Sequence, residues 1–200
     1  MDIAVYGATG AIGSKIVEEA VARGHDVTAV SRRGGAVENT GIISADLGDT
    51  AQFAAIAAEN DVVVIAAGPP RTGDSHEPTI QAHRNILAAN PDARIFVIGG
   101  AGSLFAGDVR LKDTEGFPEL YKPEAETMTA ILDLYEGSSG VDWTVLSPAP
   151  MIGPGARTGA YKAGLDSPVG DEISQEDFAV AVLDELENPK HSGKRFTVAN

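Results

Sequence analysis

A glycine-rich turn that directly follows a short apolar run constrains the fold of this chain more than any other feature. Ile3–Tyr6 predicts a buried strand, and it ends at the segment GATGAIG of residues 7–13. Apolar residues at helical spacing follow, so the turn joins a strand to a helix. Gly7 permits a tight turn, Gly10 lets a pyrophosphate approach the backbone, and Gly13 lets the helix pack closely on the strand. The pattern predicts a dinucleotide-binding loop; a purely structural turn is the alternative.

Strand-like and helical segments alternate along the rest of the chain. Strands are predicted at residues 26–31, 41–45, 61–66, 94–98, 141–146 and, as a final edge strand, 195–198. Helices are predicted at residues 12–23, 50–59 and 76–89, around Met128–Tyr135, and after a capping Ser174. This alternation predicts an α/β protein with a doubly wound parallel sheet, the Rossmann fold, with ligands at its carboxyl edge. A length of 200 residues suits a single domain spanning residues 1–200.

Two long segments lack a regular apolar pattern. Residues 99–121 are rich in glycine and polar residues, and residues 147–173 contain five glycines and four prolines. Both follow predicted strands, so both are expected to form extended loops over the carboxyl edge. We interpret them as the substrate loops.

The balance of charge limits the partners. The formal net charge is −14, from 29 acidic and 15 basic residues, which disfavours nucleic acid and anionic membrane surfaces. No apolar run approaches a membrane span, and the absence of cysteine and of a targeting pattern predicts a cytoplasmic protein. The four histidines lack metal-ligand spacing, so no metal site is expected. The helix residues Glu19, His76 and His83 are expected at the surface. We therefore expect the partner to be a small molecule and the protein to be a monomer or a small homo-oligomer.

Basic residues stand out against this acidic background at the end of the second strand. Arg32 and Arg33 occupy a place where NAD-specific sites usually carry an acidic residue, and arginine suits a 2′-phosphate. The pair favours NADPH, with NADH as the alternative cofactor, unless it is only a solvated basic pair. Asp46 follows the third strand and either binds the adenine amino group or caps the next turn. Ala67 and Gly68 form a small turn against which the cofactor ribose can lie.

Several motifs in fixed order resemble one known family. They are GATGAIG at residues 7–13, Asp46-Leu47, GGAGSL at 99–104, DWTVLSP at 142–148, RTGAY at 157–161 and ISQED at 173–177. Together they resemble the atypical short-chain dehydrogenase/reductases of the NAD(P)H-binding, NmrA-like group, especially its NADH-flavin reductase and biliverdin reductase B branch. The resemblance covers the chain from Gly7 to beyond residue 177.

The resemblance implies positions for the cofactor. It places the pyrophosphate on Thr9, Gly10, Ala11 and Ile12, and the 2′-phosphate near Arg32. It also implies cofactor contacts from Leu47, Arg71, Gly100, Pro148 and Met151. Biliverdin reductase B carries a histidine in its pocket where this chain has Met151, which counts against a tetrapyrrole substrate.

The usual proton donor of ketone-reducing relatives is missing. A Tyr-x-x-x-Lys dyad would need lysine four residues after a tyrosine, but Gly10, Ala125, Ser139 and Leu165 follow the four tyrosines there. An acceptor that needs no strong protein acid is therefore indicated, such as a flavin or quinone. The sequence predicts an NADPH-dependent reductase, with flavin as a substrate rather than a bound cofactor.

Ser103 is the candidate catalytic residue, through a hydrogen bond to the nicotinamide carboxamide or to the acceptor. The alternative is a loop hydroxyl bonded to its own backbone. The alternative function is a non-catalytic NAD(P)-sensing regulatory protein of the NmrA type. A sugar-nucleotide epimerase relative is disfavoured by the missing dyad and the small C-terminal region.

Overall fold

The computed structural model describes residues 1–34, 40–70 and 73–200. Strands of the described residues, numbered along the chain, are β1 (Asp2–Tyr6), β2 (Asp26–Ser31), β3 (Gly41–Ser44), β4 (Val62–Ile65), β5 (Arg94–Ile98), β6 (Phe105–Ala106), β7 (Val109–Arg110), β8 (Trp143–Pro148), β9 (Met151–Gly153), β10 (Lys162–Gly164), β11 (Glu172–Ser174) and β12 (Lys194–Ala199). The α-helices are α1 (Ala11–Ala22), α2 (Thr50–Ala58), α3 (Glu77–Ala89), α4 (Lys122–Glu136) and α5 (Gln175–Glu187).

The main sheet has the order β10-β12-β8-β5-β4-β1-β2-β3. The chain builds outward from β1 to β3, then returns to the other side of β1 and builds outward through β4, β5 and β8. All of these strands are parallel, so the doubly wound Rossmann fold is confirmed. The reversal between β1 and β4 is the topological switch point, where such sheets bind ligands beyond the carboxyl ends of their strands.

Helices cover both faces of the sheet because successive side chains of a strand point to opposite faces. Ile3 and Val5 of β1 pack in one core with α1 and α5. Ala4 and Tyr6 of the same strand pack in a second core, to which α2, α3 and α4 contribute. Apolar residues at every position of a strand therefore predict a strand that is covered twice.

The ends of two helices follow local sequence signals. Helix α1 ends at Ala22, and Gly24 adopts a left-handed conformation with φ +80, as its position after the last helical turn predicts. Helix α5 begins after Ser174, whose hydroxyl oxygen accepts a hydrogen bond of 2.9 Å from the Asp177 amide.

The prediction that residues 195–198 form an edge strand is wrong in one respect. β12 forms, but β10 pairs with it antiparallel on the outer side and takes the edge. β10 is three residues long and lies in the segment predicted as an extended loop. Its pairing with a strand more than 30 residues away along the chain leaves no local pattern to detect.

The predicted loops contain other short elements. Residues 99–121 include the antiparallel pair β6–β7 and three turns of 3-10 helix at residues 101–103, 111–113 and 119–121. Residues 147–173 contain β9 and β10, and β9 pairs with β11. None of the helices in the described ranges is long and apolar enough to cross a membrane.

Three helix side chains expected at the surface are in fact partnered and covered. Glu19 is buried, and its carboxylate accepts hydrogen bonds of 2.7 Å from Arg157 and from Arg23. Hydrogen bonds from Arg157 and then Arg23 lower the pKa of Glu19, against the opposing effect of burial. His83 is 1% exposed and lies 3.0 Å from the Tyr135 hydroxyl.

Half-buried His76 lies 2.7 Å from the Thr127 hydroxyl and 3.0 Å from the Pro70 carbonyl oxygen. The surface predictions fail for these side chains because helix spacing does not show which other segments pack over a helix.

Candidate cofactor and acceptor site

The glycine turn after β1 is tightly packed against the adjoining backbone. Gly7 has φ +81, and a Cβ there would lie 2.7 Å from the Ala66 carbonyl oxygen. A Cβ at Gly13 would lie 2.1 Å from the Gly7 carbonyl oxygen. The Gly7 amide also donates to the Val30 carbonyl oxygen at 3.0 Å. The turn is therefore held by β1, β2 and β4 together, and it requires glycine at both positions.

The amino end of α1 projects from this turn at the switch point. Thr9, Gly10 and Ala11 are exposed, and Gly10 occupies the N-cap position, where a glycine offers no side chain to the first amides. The first turn of α1 contains no acidic residue. Its first N–H groups lack partners within the helix, and they lie at the positive end of the helix dipole. The residues present therefore fit the diphosphate of a dinucleotide, with half-buried Ile12 next in the helix.

The basic pair lies where the sequence predicts, at the carboxyl end of β2. Arg32 and Arg33 are both exposed. Within the described parts of the chain, no carboxylate lies within ion-pair distance of either guanidinium. Arg71 lies outside the described residues. A 2′-phosphate contact from these arginines stays a prediction.

Residues after β3 and β4 line the same edge. Asp46 is exposed, and its carboxylate oxygen Oδ1 accepts a hydrogen bond of 2.8 Å from the Gly48 amide. The turn-capping alternative is thus present, and the contact with adenine stays a prediction. Leu47 packs against the core that contains Tyr6. Ala67 is half-buried and packs there too, whereas Gly68 is exposed.

Ser103 belongs to the loop that follows β5, and its side chain is covered by the rest of the protein. It is 1% exposed, and its hydroxyl donates a hydrogen bond of 2.9 Å to the Gly100 carbonyl oxygen. Its Oγ also lies 3.3 Å from Arg195 Nη1 and 3.5 Å from Ser147 Oγ. The loop hydroxyl bonded to its own backbone is therefore the arrangement present. A catalytic hydrogen bond would need the hydroxyl to turn away from Gly100, and that role stays a prediction.

The remaining candidates lie on both sides of this loop. Gly100 packs closely on α4, since a Cβ there would lie 3.1 Å from the Met128 Cβ. Pro148 is buried at the end of β8. Met151 is 58% exposed, with its amide donating 2.9 Å to the Asp171 carbonyl oxygen. Because β1, β2, β3, β4, β5 and β8 are parallel, all the described candidate residues that follow them lie along one edge of the sheet.

A family model described as NAD(P)H-binding matches residues 7–189, from the first glycine of the turn to just beyond α5. The chain belongs to this family. The match confirms the predicted resemblance and shows an NAD(P)H-binding domain. The placement of the dinucleotide at the switch point stays a prediction. The glycine contacts described above bring the α1 amino end to the sheet edge.

Relatives and solved structures match along their whole length. The uncharacterised protein YwnB of Bacillus subtilis is 38% identical over 218 residues, covering 100% of this chain and 99% of that protein. The structure of a proposed exported protein from Burkholderia pseudomallei is 37% identical, with a TM-score of 0.90 and full coverage of both chains. The structure of a proposed NADH-flavin reductase from Streptococcus pneumoniae is 33% identical, with a TM-score of 0.85, covering 100% of this chain and 99% of that one.

Two buried charges that sequence reasoning missed contact the segment that follows β8. Asp177 is fully buried and accepts hydrogen bonds of 2.8 Å from the amides of Thr158 and Gly159 and from the Asn200 side chain. Burial raises the pKa of Asp177, but these bonds and one from the Thr158 hydroxyl outweigh it, so the net shift is downward. Arg195 is the second such charge. Neither has a local sequence signal, since the Ser174 pattern predicts only a helix cap.

Tyr161, in the loop after β8, is poorly suited to give up a proton. Its hydroxyl donates 2.8 Å to the Asp184 carboxylate, and burial followed by this contact raises its pKa well above the ordinary value. Clusters of three or more histidine and carboxylate side chains that could hold a metal ion are absent from the described residues.

Proposed function

We propose that the protein is an NADPH-dependent reductase that passes hydride to a flavin or a similar small aromatic acceptor such as a quinone. The observation that carries the proposal is the glycine turn at the switch point, in a chain where no tyrosine has a lysine four residues on. The similarity to a proposed NADH-flavin reductase, 33% identical over the whole chain, supports the same chemistry.

The amino-terminal half supplies the cofactor contacts in this proposal. Thr9, Gly10 and Ala11 bind the diphosphate through backbone N–H groups, and the guanidinium groups after β2 select the 2′-phosphate. Asp46 contacts the adenine. NADPH, when bound, supplies the hydride. In this proposal the residues of the amino-terminal half only bind and orient the cofactor. A glycine turn without charged side chains, GATGAIG at residues 7–13, is sufficient for that role.

The loops after β5 and β8 form the acceptor cleft in this proposal. Met151 and the half-buried Phe105 offer apolar contact to a flat ring system. Conjugated acceptors spread the added charge over the ring, so solvent can supply the proton and the protein chiefly aligns two rings. A cleft built from loops binds weakly, and a reduced flavin must leave before the next turnover. Flavin is therefore a substrate here, and the purified protein should carry none.

The test is a screen of purified protein with NADPH and separate acceptors: FMN, FAD, riboflavin and a water-soluble quinone. The expected result is acceptor-dependent loss of NADPH absorbance, with a colourless protein before flavin is added. Repeating the screen with NADH measures cofactor preference.

A result in which the protein binds NADPH tightly but oxidises it with none of these acceptors would overturn the reductase proposal. The non-catalytic sensor of the NmrA type would then be the better account.

A further inference from the structure

Arg195 is a buried cation in the interior of the sheet. It lies on β12 between β8 and β10, and its side chain is 2% exposed. Along β12 it lies two residues from Thr197, which is opposite Ser147 in the neighbouring strand. A buried charge is costly unless it is paired and hydrogen-bonded, so a strand that needed only packing would carry an apolar residue here.

The guanidinium of Arg195 contacts both loops of the acceptor cleft. Its Nε and Nη2 donate to a single carboxylate oxygen of Asp166 at 3.0 and 2.7 Å. Its Nη1 donates to the Ser103 hydroxyl oxygen at 3.3 Å. Asp166 belongs to the loop after β8, and Ser103 belongs to the loop after β5. One side chain therefore joins two segments that are more than 60 residues apart in sequence.

The backbone reinforces this connection at the same place. The Phe105 amide, which follows Ser103 by two residues, donates to the Asp166 carbonyl oxygen at 2.8 Å. Asp166 itself follows β10 by two residues, and β10 joins the main sheet through its pairing with β12. Side chain and carbonyl of Asp166 thus fix the second loop to the first.

We propose that Arg195 is a positioning residue that holds the two acceptor loops in fixed relation through Asp166 and Ser103, and that it thereby sets the affinity for the acceptor rather than for NADPH. The inference rests on the proposed function where it assigns these loops to the acceptor. Its selectivity follows from location, because the diphosphate and adenosine contacts lie after β1, β2 and β3, where the Arg195 guanidinium has no partner among the described residues.

Arg195 and Asp166 differ in exposure, and this difference predicts different effects on stability when each is replaced. The Asp166 side chain is 61% exposed, whereas that of Arg195 is 2% exposed. Arg195→Met leaves a carboxylate that water can solvate. Asp166→Ala leaves a buried cation without its counter-charge, which is the more costly change. Asp166→Ala should therefore lower the melting temperature more than Arg195→Met, and the double variant should recover part of the loss.

The experiment compares Arg195→Met, Asp166→Ala and the double variant with wild type. Arg84→Met is the matched control, because Arg84 is an exposed arginine on α3 whose partners among the described residues lie on its own helix. We expect Arg195→Met to raise the KM for FMN about tenfold while the Kd for NADPH changes less than about twofold. Amide hydrogen exchange should quicken in the peptides around Phe105 and Asp166, with the β1 peptides unchanged.

Two outcomes would overturn the inference: unchanged exchange in both loop peptides, or a parallel loss of affinity for NADPH and FMN. A merely structural role would give that parallel loss together with faster exchange throughout the chain. If wild type reduces no acceptor, the proposed function fails by itself. Faster amide hydrogen exchange in Arg195→Met, confined to the two loops, would then still support the positioning role. Unchanged exchange in these loops would still refute it.

Discussion

The glycine turn after β1 and the loops after β5 and β8 start from the same edge of the sheet but are held by different contacts. The turn is fixed by backbone contacts within the segment 7–13 and with β2 and β4, two adjacent strands. The loops have backbone hydrogen bonds too, but they are also fixed by charged side chains from distant positions, such as Arg157 and Glu19, which are 138 residues apart.

The difference teaches which part of the site can change during evolution. The turn at residues 7–13 has no room for a Cβ at Gly7 or Gly13, so we expect almost no substitution at these positions. We therefore expect the ligand of the turn to stay the same. Loops held by ion pairs can be reshaped by exchanging the pair, and the scaffold remains intact. We therefore expect relatives with this fold to share the dinucleotide and to differ in the acceptor.

The largest effect is expected from a substitution in the glycine turn after β1. Gly13→Ala should lower the free energy of unfolding by about 3 kcal/mol and abolish measurable NADPH binding, because the new methyl group displaces α1 from the turn. Urea unfolding and NADPH fluorescence titration measure the two effects. Gly41→Ala is the matched control, since a Cβ at Gly41 meets open space. Normal NADPH binding by Gly13→Ala would show that the close backbone approach is not required.

Arg32→Ala should separate the two cofactors. Loss of a charged hydrogen bond to the 2′-phosphate should raise the Kd for NADPH by roughly thirtyfold, about 2 kcal/mol. The Kd for NADH should change by less than about threefold, because NADH lacks that phosphate. Arg84→Ala serves as the control for loss of an exposed arginine. Equal weakening of both cofactors would place the residue elsewhere in the site.

The stability of the protein should depend on pH through His83, which is buried between α3 and α4. Burial lowers the pKa of His83 from 6.5 to about 4, so the unfolded chain takes up this proton at a higher pH than the folded protein. Stability should therefore fall as pH drops from 6.5 towards 4, by roughly 2 kcal/mol between about pH 7.5 and pH 5.

His83→Gln should remove most of this slope, because glutamine is neutral throughout and can still bond the Tyr135 hydroxyl. Urea unfolding at the two pH values measures the slope in wild type and variant. An identical slope in both proteins would contradict the assignment to His83.

The smallest effect concerns the acceptor side. Ser103→Ala should lower kcat about tenfold or less, on the scale of one hydrogen bond of about 1.4 kcal/mol. Ser138→Ala is a matched control, since that hydroxyl also donates to the carbonyl oxygen three residues earlier, just beyond the end of α4. Complete loss of turnover with intact NADPH binding would mean that Ser103 carries out proton transfer.

Sequence prediction succeeded for elements whose signals are local. The Gly24 conformation, the cap of α5 and the close approach of Gly13 to the Gly7 carbonyl oxygen each depend on residues within one or two turns of the chain. Prediction failed for β10, His83 and Glu19, which depend on a partner distant in sequence. The candidate site divides in the same way, since its glycine positions have a geometric reason in the structure and the role of Ser103 has none yet.

By itself, the sequence determined the α/β fold and the strand–glycine turn–helix at its start, because apolar periodicity and the spacing of glycines act through backbone geometry. Only the tertiary structure decided how the loops after β5 and β8 are joined. It brought Arg195, Asp166 and Ser103 together and buried Glu19 under Arg157. Whether a charge is solvated or buried depends on which segment packs over it, and the sequence around that charge does not contain this information.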